Sequence, residues 1–430
     1  MSTLGWRLAR LATRRVRGWL AGPGQSWEFR PPPPDWAPRA THTTLYLHVP
    51  FCRGTCHYCP YTRVPYDSRL LEPFQRAACA EVDGWADRLG RAELASVYIG
   101  GGTPTLALDA VTAVLERVRD RFRLSGGIGL ETNPADVDAA TVARLRGMGV
   151  GLVSLGVQSF QADKLALLGR RYRPCDAERA LALLAEAGFD SVNADLMFAL
   201  PGQTVADLRA DLDRAVALGA SQVTAYPLFT FPYSQVGQAR RLAAVRLPRL
   251  RARRTHYRAL CDWAATTGFR RVSVWGFARP GAPRYSSVTR DGYLGIGPGA
   301  GSLLPGGFAF NTFDFGAWLQ AAEAGAPKPA LHLPFGEALA AWWWFYWRLY
   351  DTRVPLVALE DAMGGQAARA RRALGCLERL GLAVRRDGHV ELTVSGAFWV
   401  HLAQNHFALD FVNTLWTSAR REPWPSAIAL

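Results

Sequence analysis

From residue 44 the chain alternates two kinds of segment, and this alternation constrains the fold more than any other feature of its 430 residues. Apolar, β-rich runs lie at Leu45–Val49, Ser96–Ile99, Ile128–Glu131, Leu152–Val157, Ser191–Phe198 and Gln222–Tyr226. Between them, alanine- and leucine-rich stretches with helical spacing occupy 72–89, 107–122, 138–147, 175–187 and 204–218. Six such strands alternating with helical stretches predict an α/β chain whose parallel sheet curls into a partial (β/α)6 TIM-like barrel. Chemistry in barrels of this kind collects at the C-terminal ends of the strands.

Directly after the first run comes Cys52-Arg53-Gly54-Thr55-Cys56-His57-Tyr58-Cys59, three cysteines spaced x3 then x2. Thiolates are the ligands of iron–sulfur clusters, and this spacing lets one loop wrap a single cluster. Only three of four irons would be held, and a metal left with an open position is catalytic rather than structural. Two other readings compete: a zinc loop, for which His57 stands nearby, and three buried thiols. Cys79, Cys175, Cys261 and Cys376 stand singly and read as core or surface thiols. Seven cysteines, three of them in one loop, do not read as a disulfide framework, so a reduced cytoplasmic compartment is expected.

The other strand ends are also polar or glycine-rich. The second run closes on Gly100-Gly101-Gly102-Thr103-Pro104, where backbone can approach a ligand closely. The third ends in Glu131-Thr132-Asn133-Pro134. The fourth ends in Gly156-Val157-Gln158-Ser159-Phe160, with Arg170 further on. The fifth carries Asn193-Ala194-Asp195 and then Leu200-Pro201-Gly202-Gln203-Thr204, and the sixth ends in Tyr226-Pro227-Leu228. A buried Asp or Glu at a strand end is more often a satisfied structural group than a ligand-binding one; here the order of motifs after the cysteine loop favours binding.

The cysteine loop and these strand ends together resemble the radical S-adenosylmethionine (SAM) superfamily, in the branch of oxygen-independent coproporphyrinogen III dehydrogenase. The resemblance runs from about 44 to 305 and more weakly to the end. It implies a 4Fe–4S cluster on Cys52, Cys56 and Cys59, and SAM on the open iron. It further implies that Tyr46, Gly101 and Gly102 line the first SAM. Glu131, Gln158, Arg170 and Asp195 would hold its ribose and methionine parts, or a second SAM beside it. Carboxylates can accept from ribose hydroxyls and an ammonium, and a guanidinium can fork onto a carboxylate. A flavodoxin or ferredoxin is the implied electron donor.

Three departures bear on the member. Tyr61 stands where the porphyrinogen enzymes carry a further cysteine. The His-Asn-x-x-Tyr-Trp signature of the related heme chaperones is absent ahead of the glycine-rich loop Gly295–Ser302, where the chain reads Pro283-Arg284-Tyr285-Ser286-Ser287-Val288. Trp342-Trp343-Trp344-Phe345-Tyr346-Trp347 forms an aromatic run that cannot all face inward on one helix, so an aromatic-rich lid over an apolar, fused-ring substrate is expected. These departures point to the class C radical SAM methyltransferases, which use two SAM molecules to add a methyl or methylene group to an sp² carbon. Tyr61, His401 and His406 are the candidate bases, and the menaquinone ring is one implied substrate. A heme-related member, whether chaperone, heme-degrading methyltransferase or coproporphyrinogen dehydrogenase, is the alternative, as is a cyclopropanase.

The flanks complete the domain reading. Residues 3–20 form a basic amphipathic helix within a segment 1–24, with Arg7, Arg10, Arg14 and Arg17 on one arc. It fits a lipid interface at the inner face of the membrane, a helix packed on the body, a disordered tail or a transit peptide. A Pro-rich linker spans 25–43, the barrel and its extension 44–305, and a winged-helix-like, mostly helical accessory domain 306–430. The net charge of +14 fits an anionic partner. The chain carries no nucleic-acid-binding motif.

Overall fold

The computed structural model describes residues 27–430 except 35, 37, 91, 230, 232–233, 238–246, 285–290 and 326–328. The expected helix at 3–20 lies outside the described residues. The chain divides into two compact units, one of residues 39–302 and 311–328, the other of 1–38, 303–310 and 329–430.

The first unit is the barrel. Its strands are β1 (His42–Val49), β2 (Glu93–Gly101), β3 (Ile128–Thr132), β4 (Val150–Gln158), β5 (Ser191–Phe198) and β6 (Gln222–Pro227). They alternate with helices α1 (Leu71–Leu89), α2 (Leu108–Arg121), α3 (Ala139–Gly147), α4 (Pro174–Glu186) and α5 (Val205–Ala217), and α6 (Leu250–Thr267) and α7 (Phe315–Glu323) follow β6 in the chain. Each strand pairs in parallel with the next. The expected partial barrel is therefore present. It has one strand more than expected: β7 (Tyr293–Ile296) lies parallel to β1 on its free side. The stretch read from sequence as a glycine-rich loop thus begins inside a strand, and only its middle is a turn, closed by the Ala300 amide on the Gly297 carbonyl (3.2 Å). Gly297 has φ +102°, and a Cβ there would lie 2.5 Å from the carbonyl oxygen of His48.

Strand alternation separates two chemistries. Leu45, Leu47, Val49, Ile99, Leu130, Val153, Leu155, Ala194, Leu196, Val223 and Ala225 form the buried outer face, under buried helix residues such as Val82, Val111, Leu115, Leu181 and Leu212. Helix starts are set locally: Thr204 and Asp207 form a capping box on α5, and Asp138 caps α3 through the Thr141 amide. The inner face carries Tyr46, His48, Tyr98, Glu131, Ser154, Asn193, Asp195, Thr224 and Tyr226, brought into register by the pairs Tyr46↔Tyr98, Glu131↔Ser154, Ser154↔Asn193 and Asp195↔Thr224.

The second unit contains α8 (Glu337–Tyr350), β8 (Arg353–Pro355), α9 (Leu356–Met363), α10 (Ala367–Arg379), β9 (Ala383–Arg386), β10 (His389–Leu392) and α11 (Val394–Ala419), with β8, β10 and β9 forming a small antiparallel sheet. β9 and β10 form a hairpin around Asp387-Gly388. In the tryptophan run on α8 only Phe345 is fully buried, and Trp343 packs its ring against Phe308, Phe335, Tyr346 and Trp347. The Pro-rich segment is anchored rather than free at its start. Glu28–Phe29 pair with Ile428–Ala429, and Phe29 is buried among Phe308, Phe310 and Phe411. No helix among the described residues is long and apolar enough to cross a membrane.

Candidate active site

The cysteine loop leaves the end of β1 and is tied at its base. Val64 donates to the Pro50 carbonyl (2.8 Å) and Tyr66 to the Cys52 carbonyl (3.0 Å). His57 ties the loop at its far end. Its amide donates to the Leu168 carbonyl (3.1 Å), its carbonyl accepts from the Val236 amide (2.9 Å), and its Nδ1 lies 3.0 Å from the Leu167 carbonyl. A carbonyl only accepts, so Nδ1 carries the proton. The other edge of the ring lies against Gly169, where a Cβ would stand 2.7 Å from Cδ2 and Nε2. His57 is thus used to shape the loop, with its Nδ1 proton on Leu167 and its Nε2 edge facing Gly169.

Among the described residues no three of His, Cys, Asp or Glu converge as one ion would require. A cluster asks for something different, one thiolate on each of three irons. Cys52, Cys56 and Cys59 are half-buried and form no disulfide, and the charges of Cys59 and Cys56 raise Cys52 while that of Cys56 raises Cys59. Burial, with that charge, pushes the Cys52 thiol up to about 11 and also raises Cys59. Cations stand ready to offset thiolate charge: Arg170 Nη1 is 3.5 Å from Cys56 Sγ, and Arg63 reaches the Cys59 carbonyl. Three soft donors and two guanidiniums fit a cluster with one open iron.

The triple glycine at the end of β2 is a packing solution. A Cβ on Gly100 would lie 2.8 Å from Glu131 Oε2, one on Gly101 (φ +114°) 2.7 Å from the His48 ring, and one on Gly102 2.5 Å from the Phe51 carbonyl oxygen. The amides of Gly102 and Thr103 donate to Val49 (2.7 Å) and Phe51 (2.8 Å), which sews β2 to the cysteine loop. The Gly101 amide donates to Glu131 Oε2 (3.2 Å). Glu131 also accepts from the Tyr98 hydroxyl, and burial raises its pKa. His48 Nε2 lies 2.9 Å from the Thr62 carbonyl, so its Nδ1 accepts from the Tyr46 hydroxyl at 2.8 Å. Burial lowers His48 to about 4, which keeps it neutral, and the Tyr46 oxygen is left able only to accept.

Across the barrel, Asp195 accepts from Ser154 Oγ (2.8 Å) and Asn193 Nδ2 (2.9 Å), and Thr224 donates to Asn193 Oδ1 (2.9 Å). Burial first, then the like charge of Glu131, raises Asp195 to about 7. Gln158 holds a left-handed backbone (φ +63°), a strain that concentrates at functional positions. Its Oε1 accepts from the Tyr226 hydroxyl (3.1 Å), which leaves its amide donors for a ligand. Arg170 is held by the Gly156 carbonyl (2.8 Å) and lies over the Tyr172 ring.

One unit therefore contains the three cysteines and Tyr46, Gly101, Gly102, Glu131, Gln158, Arg170 and Asp195. Tyr61 is in it too, 53% exposed. His401 and His406 belong to the second unit, on α11. His401 is buried edge-on to Tyr350 and lowered to about 4 by that burial, which makes it a poor proton acceptor.

Sequence reasoning missed His48 and Glu81. Glu81 on α1 is buried and accepts from the Gly297 amide (2.9 Å), Asn311 Nδ2 (2.6 Å) and Trp318 Nε1 (3.0 Å). It fixes the turn after β7, whose Gly299 packs on Thr62 of the cysteine loop. A carboxylate in an alanine-rich helix that also carries Glu72, Asp83 and Asp87 reads as solvent-facing, and its partners lie more than 200 residues away.

A family model described as the radical SAM superfamily matches residues 46–215. The heme chaperone HemW of Escherichia coli is 30% identical over 297 residues, 66% of this chain and 74% of that protein. The chain belongs to the radical SAM superfamily. The oxygen-independent coproporphyrinogen III oxidase of Bradyrhizobium diazoefficiens is 29% identical over 67% of this chain and 68% of its own length. The solved structure of the Escherichia coli coproporphyrinogen III oxidase HemN covers 86% of this chain and 90% of itself, with a TM-score of 0.72 at 20% identity. These relatives place the chain in the coproporphyrinogen oxidase-like branch. It is a radical SAM enzyme, with a 4Fe–4S cluster and SAM as cofactors.

Proposed function

We propose that Cys52, Cys56 and Cys59 hold the cluster and that SAM lies in the cup made by Tyr46, the Gly100–Gly102 turn, Glu131, Gln158, Arg170 and Asp195, with a tetrapyrrole-type ring as the molecule acted upon. When bound, the cluster supplies the electron that breaks the S–C5′ bond of SAM, giving methionine and a 5′-deoxyadenosyl radical. The chain's own groups bind and orient. Glu131 and Asp195 accept from hydroxyl and ammonium groups, Gln158 donates from its amide, Arg170 offsets carboxylate and thiolate charge, and Tyr46 accepts through its oxygen. The observation that carries the ring-type substrate is the similarity, over about two thirds of this chain, to a heme chaperone and a coproporphyrinogen III oxidase.

Tyr61 favours a second reading, class C transfer of a methyl or methylene group from a second SAM to an sp² carbon of an apolar ring such as menaquinone. It stands where the porphyrinogen enzymes carry a further cysteine, two residues beyond Cys59, and its exposed side chain is the candidate for the base that such a transfer needs. One experiment separates the two. Anaerobically reconstituted protein is given a strong reductant, SAM with a deuterated methyl group, and hemin, coproporphyrinogen III or menaquinone in turn. The first reading predicts a Soret shift at one equivalent of hemin or turnover of the porphyrinogen, with unlabelled deoxyadenosine. Deuterium in deoxyadenosine together with S-adenosylhomocysteine and a mass gain on the quinone would replace it with the second.

A further inference from the structure

Cleaving SAM to a radical takes one electron per turnover, and this chain must receive it from outside. Its charge distribution marks where. No Asp or Glu stands between Asp213 and Asp262, a stretch holding nine arginines and no lysine. Within it, α6 begins with Arg249 at the N-cap, with no side-chain capping bond and no acidic residue in the first turn. A helix N-terminus carries partial positive charge, so arginine there is unfavourable unless an anion faces it. Arg249, Arg251 and Arg258 are all exposed. Between the first two stands Leu250, 44% exposed; among the described residues of the barrel unit, only Tyr61 is another large exposed hydrophobic. An apolar centre between cations is the composition of a protein interface rather than of a solvated charge run.

This patch is joined to the cysteine loop. Leu247, two residues before Arg249, packs on the apolar group of Leu168, Met197, Leu200, Leu228 and Val236, and Tyr58 of the cysteine loop packs on the same group. Arg253 Nη2 reaches the Leu228 carbonyl (3.4 Å), which pins the start of α6 to that group. Val236 donates to His57. A carrier seated on Arg249, Leu250, Arg251 and Arg258 thus lies over the packed side chains that back the cluster loop.

We infer that this surface docks a small acidic one-electron carrier protein. The electron leaves the carrier's reduced flavin or iron–sulfur centre, which is oxidised by one unit, and enters the cluster, which is reduced by one. The inference rests on the cluster assignment above but is read by binding, which needs no cluster. Cluster-free protein is titrated calorimetrically with oxidised flavodoxin at low and high salt, for the wild type, for the triple variant R249E/R251E/R258E and for L250A. The carboxylate at position 249 is favourable at a helix N-terminus, so the triple variant is expected to fold; L250A, which leaves the charges intact, supplies an independent arm.

Binding that weakens with salt, falls about tenfold or more in the triple variant and weakens in L250A supports the inference. Equal flavodoxin affinity in wild type and variants overturns it. So does loss of binding to phosphatidylglycerol vesicles with flavodoxin binding unchanged, since the patch would then serve a lipid surface. Loaded enzyme driven by dithionite reports separately on the cluster: its deoxyadenosine yield should be the same in wild type and variants. Failure of that arm alone, in the wild type, would count against the cluster assignment and leave the docking result standing.

Discussion

Replacing Gly102 with alanine tests whether the glycine turn exists to bring backbone against backbone. The new Cβ would lie 2.5 Å from the Phe51 carbonyl oxygen and 2.8 Å from the carbonyl carbon and oxygen of Pro50. Ordinary carbon contacts need about 3.5 Å or more, and none of these neighbours is a side chain that can swing away. Relieving the clash requires a separation of roughly 0.7–1 Å between the end of β2 and the cysteine loop. Such a shift takes the Gly102–Val49 and Thr103–Phe51 hydrogen bonds, now 2.7 and 2.8 Å, out of range. Two backbone bonds at about 1 kcal/mol each, with an overpacking cost of about 1–3 kcal/mol, give a loss of about 3–5 kcal/mol. Cluster-free protein would be unfolded in urea and followed by circular dichroism, and iron per chain would be counted after anaerobic reconstitution. Gly127→Ala is the control, because a Cβ there meets nothing within 4 Å. A G102A protein as stable as G127A, with a full complement of iron, would refute the reasoning.

Other outcomes follow from the same geometry. Asp195 is raised to about 7 from 3.8, so its stabilising contribution is complete below about pH 4 and is lost as pH climbs through 7. Asp195→Asn in the cluster-free protein should therefore gain stability relative to the wild type between pH 5 and pH 8; a difference that stays constant across that range would show that burial of Asp195 is not the cause. Glu81→Gln turns an amide donor toward the donors that converge on this site and should cost about 1–3 kcal/mol, read as a lower urea midpoint. An unchanged midpoint would mean that the turn after β7 does not depend on Glu81.

Much of the barrel was legible because its strands are nearly continuous apolar runs bounded by glycine, proline or polar residues. β5 was read at its observed limits, Ser191–Phe198, and α1 within a residue. β7 was missed because Gly295 and Gly297 within and beside it read as loop, and only the pairing with β1 makes the segment a strand. The cysteines and the strand-end residues stood out because thiol spacing and isolated polar groups in apolar runs are local signals. The hydrogen bonds that occupy those residues were not legible. Nothing near Gly101 in the chain announces that its amide faces Glu131, and nothing near His57 announces the Leu167 carbonyl. For His401 the chain announces the imidazole but not its surroundings: it is buried edge-on to Tyr350, and that burial lowers its basicity.

The central claim is that three loop cysteines arm this barrel to cleave SAM by reduction. The direct measurement is 5′-deoxyadenosine formed by anaerobically reconstituted protein with SAM and dithionite, for the wild type and Cys56→Ala, alongside iron and sulfide content and the electron paramagnetic resonance signal of the reduced protein. The account predicts a 4Fe–4S signal and deoxyadenosine from the wild type, and neither from C56A. A C56A protein that kept its full cluster and formed deoxyadenosine at the wild-type rate would contradict it.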